Sequence, residues 1–333
     1  MTVRGGLVLV AITVLLLVPE SLLRSGLPAW LSDVWFRVHY PAASTLWQSL
    51  GSAVPQLGLV VLVLATLVLV VPPAAVWFVT RRFLPGLLTL AMCGALISAW
   101  FNLNWGFNYA RQPVAHALGM TGEPTDPDVL AFYRYLASVL EAEKAAPADT
   151  DGAVSAATEE LNRLLVELDY FTTVTAPVRT LPPGVFMAFG VAGSIQPLSL
   201  TAHVDGGLTA FELVVTSVHE LAHVAGEASE AGATLLAALA GLRSDHPYAR
   251  YSAALHSIAS LGELEPGLLP ERARADLQAA RERSAELNSP ALLALQRSLF
   301  GAYLDWQGGG DGGLDYATGT AQLVLAWRAG LLD

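Results

Sequence analysis

TSVHELAHVAGEASEAGATLL, residues 216–236, places two of the chain's seven histidines four positions apart with a glutamate beside the first. Histidines at that spacing share one helix face, one turn apart. Two imidazole nitrogens can then converge on one zinc ion at about 2.0–2.1 Å each. Glu220, next to His219, is set to meet a water molecule rather than the metal and to take its proton. The expected chemistry is hydrolysis of a peptide or protein substrate. Zinc acidifies the water and polarises the carbonyl, and Glu220 delivers the proton to the leaving amine. The approach to the motif, Val214 to Val218, carries no charge, and Leu221, Ala222, Val224 and Ala225 fill the other helix faces. Charged residues in so apolar a helix are rare unless paired or metal-bound. The competing reading is a structural His–Glu cluster on an ordinary helix.

Two histidines do not complete a zinc site. Glu230 lies seven residues past His223, which is about 10 Å along a straight helix. It returns to the same face but reaches the metal only if the helix breaks. Gly226 stands three residues after His223, where a left-handed residue can end a helix. Ser229 can cap a new helix with Glu230 in its first turn. This geometry favours Glu230 as the third ligand over Glu227, which falls in the turn itself and is readable as solvated. Asp245, His246 and Glu263 are remote candidates. The helix expected over 230–242 is lined with alanine and glycine and can approach the zinc helix closely. An oxyanion needs a donor as well; Tyr248, Arg250, Tyr251 and His256 follow closely, and Tyr251 is the choice among them. His203 and His116 read as structural or solvated.

Beyond the motif, the 333-residue chain is two materials. It is 53% hydrophobic and 14% charged, against roughly 25% charged in an ordinary soluble domain. The deficit is local. Residues 1–111 contain two acids (Glu20, Asp33) and six bases, so residues 112–333 hold 29 − 2 = 27 acids and 18 − 6 = 12 bases. The acidic balance excludes nucleic-acid partners, which call for clustered Lys and Arg. The single cysteine, Cys93, forms no internal disulfide.

Three apolar runs occupy the N-terminal part: Leu7–Val18, Val54–Val79 and Leu84–Leu103. About 20 apolar helical residues cross a bilayer. The expected helices are about 5–22, 54–79 and 84–104; the first, which also resembles a signal-peptide core, lacks a good cleavage site and reads as an uncleaved helix. Arg81-Arg82 between the second and third runs predicts a cytoplasmic turn. Residues 112–333 then lie outside the cytoplasm, and 24–53 form an outer loop with Trp30, Trp35 and Trp47 at the interface. Asn104–Arg111 reads as an aromatic interfacial anchor. The stretch 216–236 is no apolar 20-mer, which argues against an intramembrane protease.

The rest is mostly α. Helices are expected over 129–144, 157–168, 211–224, 230–242, 249–261, 270–287, 290–306 and 316–331, with a loop over 145–153, short strands or turns within 174–208, and a flexible Gly308–Gly313 loop.

Trp105-Gly106-Phe107-Asn108-Tyr109-Ala110-Arg111, HELAH with its following glycine and acids, Arg250-Tyr251-Ser252, and Tyr303-Leu304 with a glycine-rich loop and Tyr316 occur in an order that resembles a bacterial membrane-protein family of unknown function. The resemblance covers nearly the whole chain. It implies three transmembrane helices (1–111) followed by an α-helical, zincin-like domain of gluzincin type with a few short strands (112–333). Members typically show Glu-x-Glu-Ala-Asn after the motif. Here Glu230 matches the first acid and Gly232 replaces the second, which supports Glu230 as the ligand.

The sequence thus predicts a multi-pass protein of the bacterial cytoplasmic membrane, with the lipid bilayer as one partner and a peptide or protein substrate as another. Its outer domain would be a zinc metallopeptidase with His219, His223 and Glu230 on Zn2+, Glu220 as general base and Tyr251 as a second catalytic residue. The alternative is a catalytically inactive zincin-like interaction or assembly module.

Overall fold

A computed structural model describes residues 28–332 except residue 263 and residues 307–315. The first expected membrane helix (about 5–22), the Gly308–Gly313 loop and the remote ligand candidate Glu263 lie outside the described residues. The chain is mostly helical and forms two compact units. One runs to Ala110 and includes Gln196–Thr201; the other comprises Arg111–Ile195 and Ala202 onward.

In the first unit, α1 (Ala29–Val34) continues through a π-helical turn (Trp35–His39) into α2 (Tyr40–Ala53). The segment expected as the outer loop, 24–53, is thus helical from Ala29 to Ala53. The buried face of α2 is Tyr40, Ser44, Gln48 and Gly51. Its spacing is helical but its residues are polar or small, so apolar periodicity does not betray it. α3 (Leu57–Thr80) and α4 (Phe83–Asn104) are the two described helices long and apolar enough to cross a membrane, with mean hydropathy 2.8 and 1.7 over their membrane-length windows. Arg81, at φ 52°, ends α3. A Cβ on Gly86 would lie 3.2 Å from Trp77 Cβ and 3.4 Å from the Pro73 carbonyl, so the bare glycine lets α4 lie close against α3.

An interfacial anchor gives the two asparagines and the glycine of Asn104–Arg111 no task; the structure does. Asn104 Oδ1 accepts the Trp47 indole N–H (2.7 Å), and Asn108 Oδ1 accepts that of Trp35 (3.1 Å). Buried indole N–H groups need such acceptors. At Gly106 any Cβ would collide with the Asn102 side chain. Trp100 Nε1 donates to the Leu198 carbonyl (2.9 Å) within the same unit.

The second unit contains α5 (Val114–Ala117), α6 (Asp126–Glu143), α7 (Thr150–Glu167), α8 (Ala210–Val224), α9 (Glu230–Arg243), α10 (Pro247–Leu261), α11 (Glu271–Leu287), α12 (Pro290–Trp306) and α13 (Tyr316–Arg328). The Thr125–Asp128 capping box starts α6. α7 begins seven residues before its expected start, because Asp149 caps it by accepting the Gly152 N–H (3.0 Å). α8 is the central helix, packed against α7, α9 and α10; α6 covers α10 and α13 covers α9.

Beside α8 lies a three-stranded sheet of order β1 (Arg179–Leu181), β3 (Thr201–Asp205), β2 (Gly193–Gln196). β1 and β3 are parallel with Thr180 opposite Val204. A four-residue turn joins β2 to β3, leaving β2 as an edge strand.

At the end of β3 the buried Asp205 carboxylate accepts four backbone N–H groups, from Gly184 (2.9 Å), Gly207 (2.7 Å), Phe186 (2.7 Å) and Met187 (3.0 Å). Burial alone would raise its pKa, but the four donors together hold it below the usual carboxylate value. Asp205→Ala leaves those buried donors unpaired and is expected to cost on the order of 3–5 kcal/mol in unfolding measurements. Because the folded-state pKa is depressed, the Asp205 contribution is complete above about pH 4 and is lost as pH falls through the folded value. An Asp205→Ala chain as stable as wild type at neutral pH contradicts this role.

Candidate metal centre

The site is built by one helix end and the next helix start. Thr209 and Glu212 form a capping box at the head of α8. From Val214 to Val224 every residue is buried, as the apolar approach to the motif requires. The helix stops at Gly226, whose φ is +103°. The Gly226 N–H donates to the His223 carbonyl (2.8 Å) and the Glu227 N–H to the Ala222 carbonyl (3.1 Å). That bond pair is a Schellman motif with glycine at its left-handed position. Ser229 then caps α9, its Oγ accepting the Gly232 N–H (3.0 Å), and Glu230 is the first residue of α9. The chain breaks and restarts where the pitch argument demands.

The reversal swings Glu230 back. His219 Nε2 lies 3.1 Å from His223 Nε2 and 3.1 Å from Glu230 Oε2, and His223 Nε2 lies 3.6 Å from Glu230 Oε1. Candidate ligand atoms on all three residues lie within 4.8 Å of one another. Ligands at zinc distances around a tetrahedral ion are separated by about 3.3 Å, and the three observed separations straddle that value. The donor set, two imidazoles and one carboxylate, suits zinc as well.

Each histidine is oriented from behind. His223 Nδ1 lies 2.6 Å from the Glu227 carbonyl, which makes Nδ1 the donor and turns the Nε2 lone pair to the centre. Thr234 Oγ1, one turn along α9 from Glu230, approaches His219 Nδ1 at 3.4 Å. Without metal the cluster is an ion pair. Burial disfavours the His223 cation, but the adjacent Glu230 carboxylate overrides this and pushes its pKa up to about 9. Burial likewise opposes the Glu230 anion, and His223 and then His219 hold that carboxyl well below the ordinary range.

Glu220 is different. It is buried, and its Oε2 has no hydrogen-bond partner. Burial pushes its pKa up, and the two histidines only partly oppose this. An unpaired buried carboxylate oxygen is costly, and this one lies beside the His219, His223 and Glu230 cluster. Gly193 of the edge strand β2 lies against it: a Cβ there would stand 2.8 Å from Glu220 Oε1 and 2.9 Å from Thr216 Cγ2.

Other sequence candidates go elsewhere. Tyr251 is fully buried; its hydroxyl donates to Asp276 Oδ2 (2.7 Å), its ring stacks on Tyr248 and Arg272 lies over it. Burial and then Asp276 raise its pKa. The phenol is committed to Asp276 of α11. Arg250 pairs with Glu143, and His246 caps α10 beside Asp149. Burial, then His219, push the His256 pKa down to about 4, leaving it neutral. Glu227 is not solvated as its place in the turn suggests. It is buried and accepts from the Tyr170 hydroxyl, the Ser229 N–H (2.8 Å) and the Ser229 hydroxyl (2.6 Å). Sequence reasoning missed Tyr170 and Gly193, for which no local signal exists.

Fold and site together define a mostly helical chain that carries, among the described residues, two helices long and apolar enough to cross a membrane and a His–His–Glu cluster that could hold a metal ion. The chain belongs to the family described as Protein of unknown function (DUF3810), whose model matches residues 35–324. No curated protein and no solved structure matches it.

Proposed function

We propose that this chain is a membrane-anchored zinc-dependent peptidase whose catalytic unit, Arg111 onward, lies outside the bacterial cytoplasm. The observation that carries the reading is the convergence of His219, His223 and Glu230 at tetrahedral ligand spacings, beside the unpaired Oε2 of Glu220. A zinc ion held by those three residues supplies Lewis acidity toward a water molecule and a substrate carbonyl. Glu220 Oε2 accepts the water's proton and returns it to the departing nitrogen. Its burial brings the carboxylate's proton affinity closer to the working pH, where a general base is most effective. His219 and His223 keep their Nε2 atoms at the centre, and Glu230, 26% exposed at its side chain, marks the side open to solvent. A peptide substrate, rather than another carbonyl compound, fits the edge strand β2, which offers backbone groups beside Glu220 for an extended chain to pair with. Gly193, lacking a side chain, lets β2 lie directly against Glu220 and Thr216.

The test is the metal content of the full chain purified in lipid nanodiscs, together with cleavage of a quenched-fluorescent peptide library. About one zinc per chain and chelator-sensitive cleavage are expected. A chain without stoichiometric zinc ends the peptidase reading. Zinc without cleavage favours the inactive interaction module instead. A reporter fused after residue 333 that is active only outside the cytoplasm checks the orientation, and its silence reverses the topology.

A further inference from the structure

We propose that Arg111, Tyr170 and Glu227 form a positioning relay that aims two of the three metal ligands, so that the arginine closing the Trp105–Arg111 motif serves the metal centre. This rests on the zinc reading above.

Glu227 is the hub. Its side chain is buried, and a buried carboxylate is tolerated only with partners. Tyr170 donates to Oε2, and Ser229 donates twice to Oε1. The carboxylate fills the space over Gly232, where a Cβ would lie 2.5 Å from Glu227 Cδ and 2.6 Å from Oε1. Any side chain at 232 would evict it. Two outputs leave this residue. Its backbone carbonyl receives the His223 Nδ1–H at 2.6 Å and so sets the ring that presents Nε2. Its carboxylate holds Ser229, whose Oγ caps α9 at Gly232 and places Glu230 as the first helical residue. One residue therefore orients a ligand on each side of the chain reversal.

The input comes from Tyr170, which is buried and lies under Arg111, the guanidinium carbon standing 3.9 Å from the ring centroid. A cation over the face of a tyrosine fixes the ring and favours its plane. Arg111 directly follows the helical turn Gly106–Ala110 whose Asn108 holds Trp35. None of the three relay residues contributes a ligand atom to the cluster; each acts through His223 or Glu230.

The experiment uses the full chain in nanodiscs. Zinc affinity is read by competition with a chromophoric chelator, and ligand geometry by the visible spectrum of the cobalt(II)-substituted protein. Tyr170→Phe and Glu227→Ala are expected to weaken zinc binding by about 10–100-fold, the usual penalty for losing a partner behind a ligand, and to shift the cobalt bands. Gly232→Ala, which displaces the carboxylate without removing it, is expected to do the same. Glu227→Gln keeps both Ser229 bonds and should recover most of the loss. Arg111→Ala should weaken binding by a few fold, on the order of a single cation–π contact. If Glu227→Ala does not fold, Tyr170→Phe and Gly232→Ala carry the test. Folded variants with wild-type affinity and an unshifted cobalt spectrum overturn the relay while leaving the zinc reading intact. A wild-type chain that binds no stoichiometric zinc overturns both.

Discussion

Glu220→Gln is expected to leave the purified chain with its full complement of zinc and to lower peptide cleavage by on the order of 10²–10⁴-fold, the usual contribution of a general base. Glutamine has nearly the same shape, so packing against Gly193 and Thr216 survives. The three ligand side chains are untouched. What disappears is the acceptor at Oε2, a buried atom with no hydrogen-bond partner among the described residues. Metal analysis and cleavage assays on the same preparation separate the two effects. A variant that loses zinc and activity together shows that Glu220 shapes the metal centre rather than moving a proton. One that keeps both removes Glu220 from the chemistry. Thermal unfolding adds a further check, because replacing a buried carboxylate of raised pKa by a neutral amide should not destabilise the fold.

The second large effect concerns Glu230. Glu230→Ala removes one of the three proposed ligands and the counter-charge of His223, and is expected to abolish stoichiometric zinc binding at micromolar metal. The pH dependence of wild-type binding follows from the same pair. His223 in the metal-free chain keeps its proton up to about pH 9, since Glu230 outweighs the burial that opposes it. Zinc needs that nitrogen bare. Binding at neutral pH must therefore expel a proton, and affinity should climb about tenfold per pH unit toward pH 9 and then level off. For the metal-free fold the sign is opposite. A raised histidine pKa contributes stability that is complete below the unfolded value of about 6.5 and is lost as pH rises through about 9. Calorimetric titrations of zinc in buffers of different ionisation enthalpy count the proton directly. A count of zero contradicts the His223–Glu230 ion pair.

How much of this was legible beforehand depended on the range of each interaction. The break at Gly226 and the cap at Ser229 follow from helical pitch and local residue type, and the chain turns there. The membrane-length helices α3 and α4 follow from run length alone. Glu227 was unreadable because its burial depends on Tyr170, 57 positions away. Asn104 and Asn108 looked idle because their tryptophans lie 57 and 73 positions off. Tyr251 misled in the opposite way. Proximity to the motif in sequence suggested a role beside the histidines, yet its hydroxyl turns to Asp276 on another helix. The gap that Gly232 leaves in the acidic pattern gains a physical reason only in three dimensions, where a different carboxylate occupies its space.

The six residues Gln196–Thr201 have a practical consequence for anyone who wants to dissect the chain. They sit in the middle of the sequence of the second unit yet belong to the first, where Trp100 binds the Leu198 carbonyl. They are also the link between β2, which touches Glu220, and β3, which ends in Asp205. Along the sequence, a segment of the first unit is thus inserted within the second. A fragment starting after Ala110 would carry that turn without Trp100, the partner of the Leu198 carbonyl, next to the strand that lies against Glu220. Removing the residues up to Ala110 thus also removes the partner of the turn between β2 and β3, so loss of function on truncation would not by itself contradict the proposed peptidase.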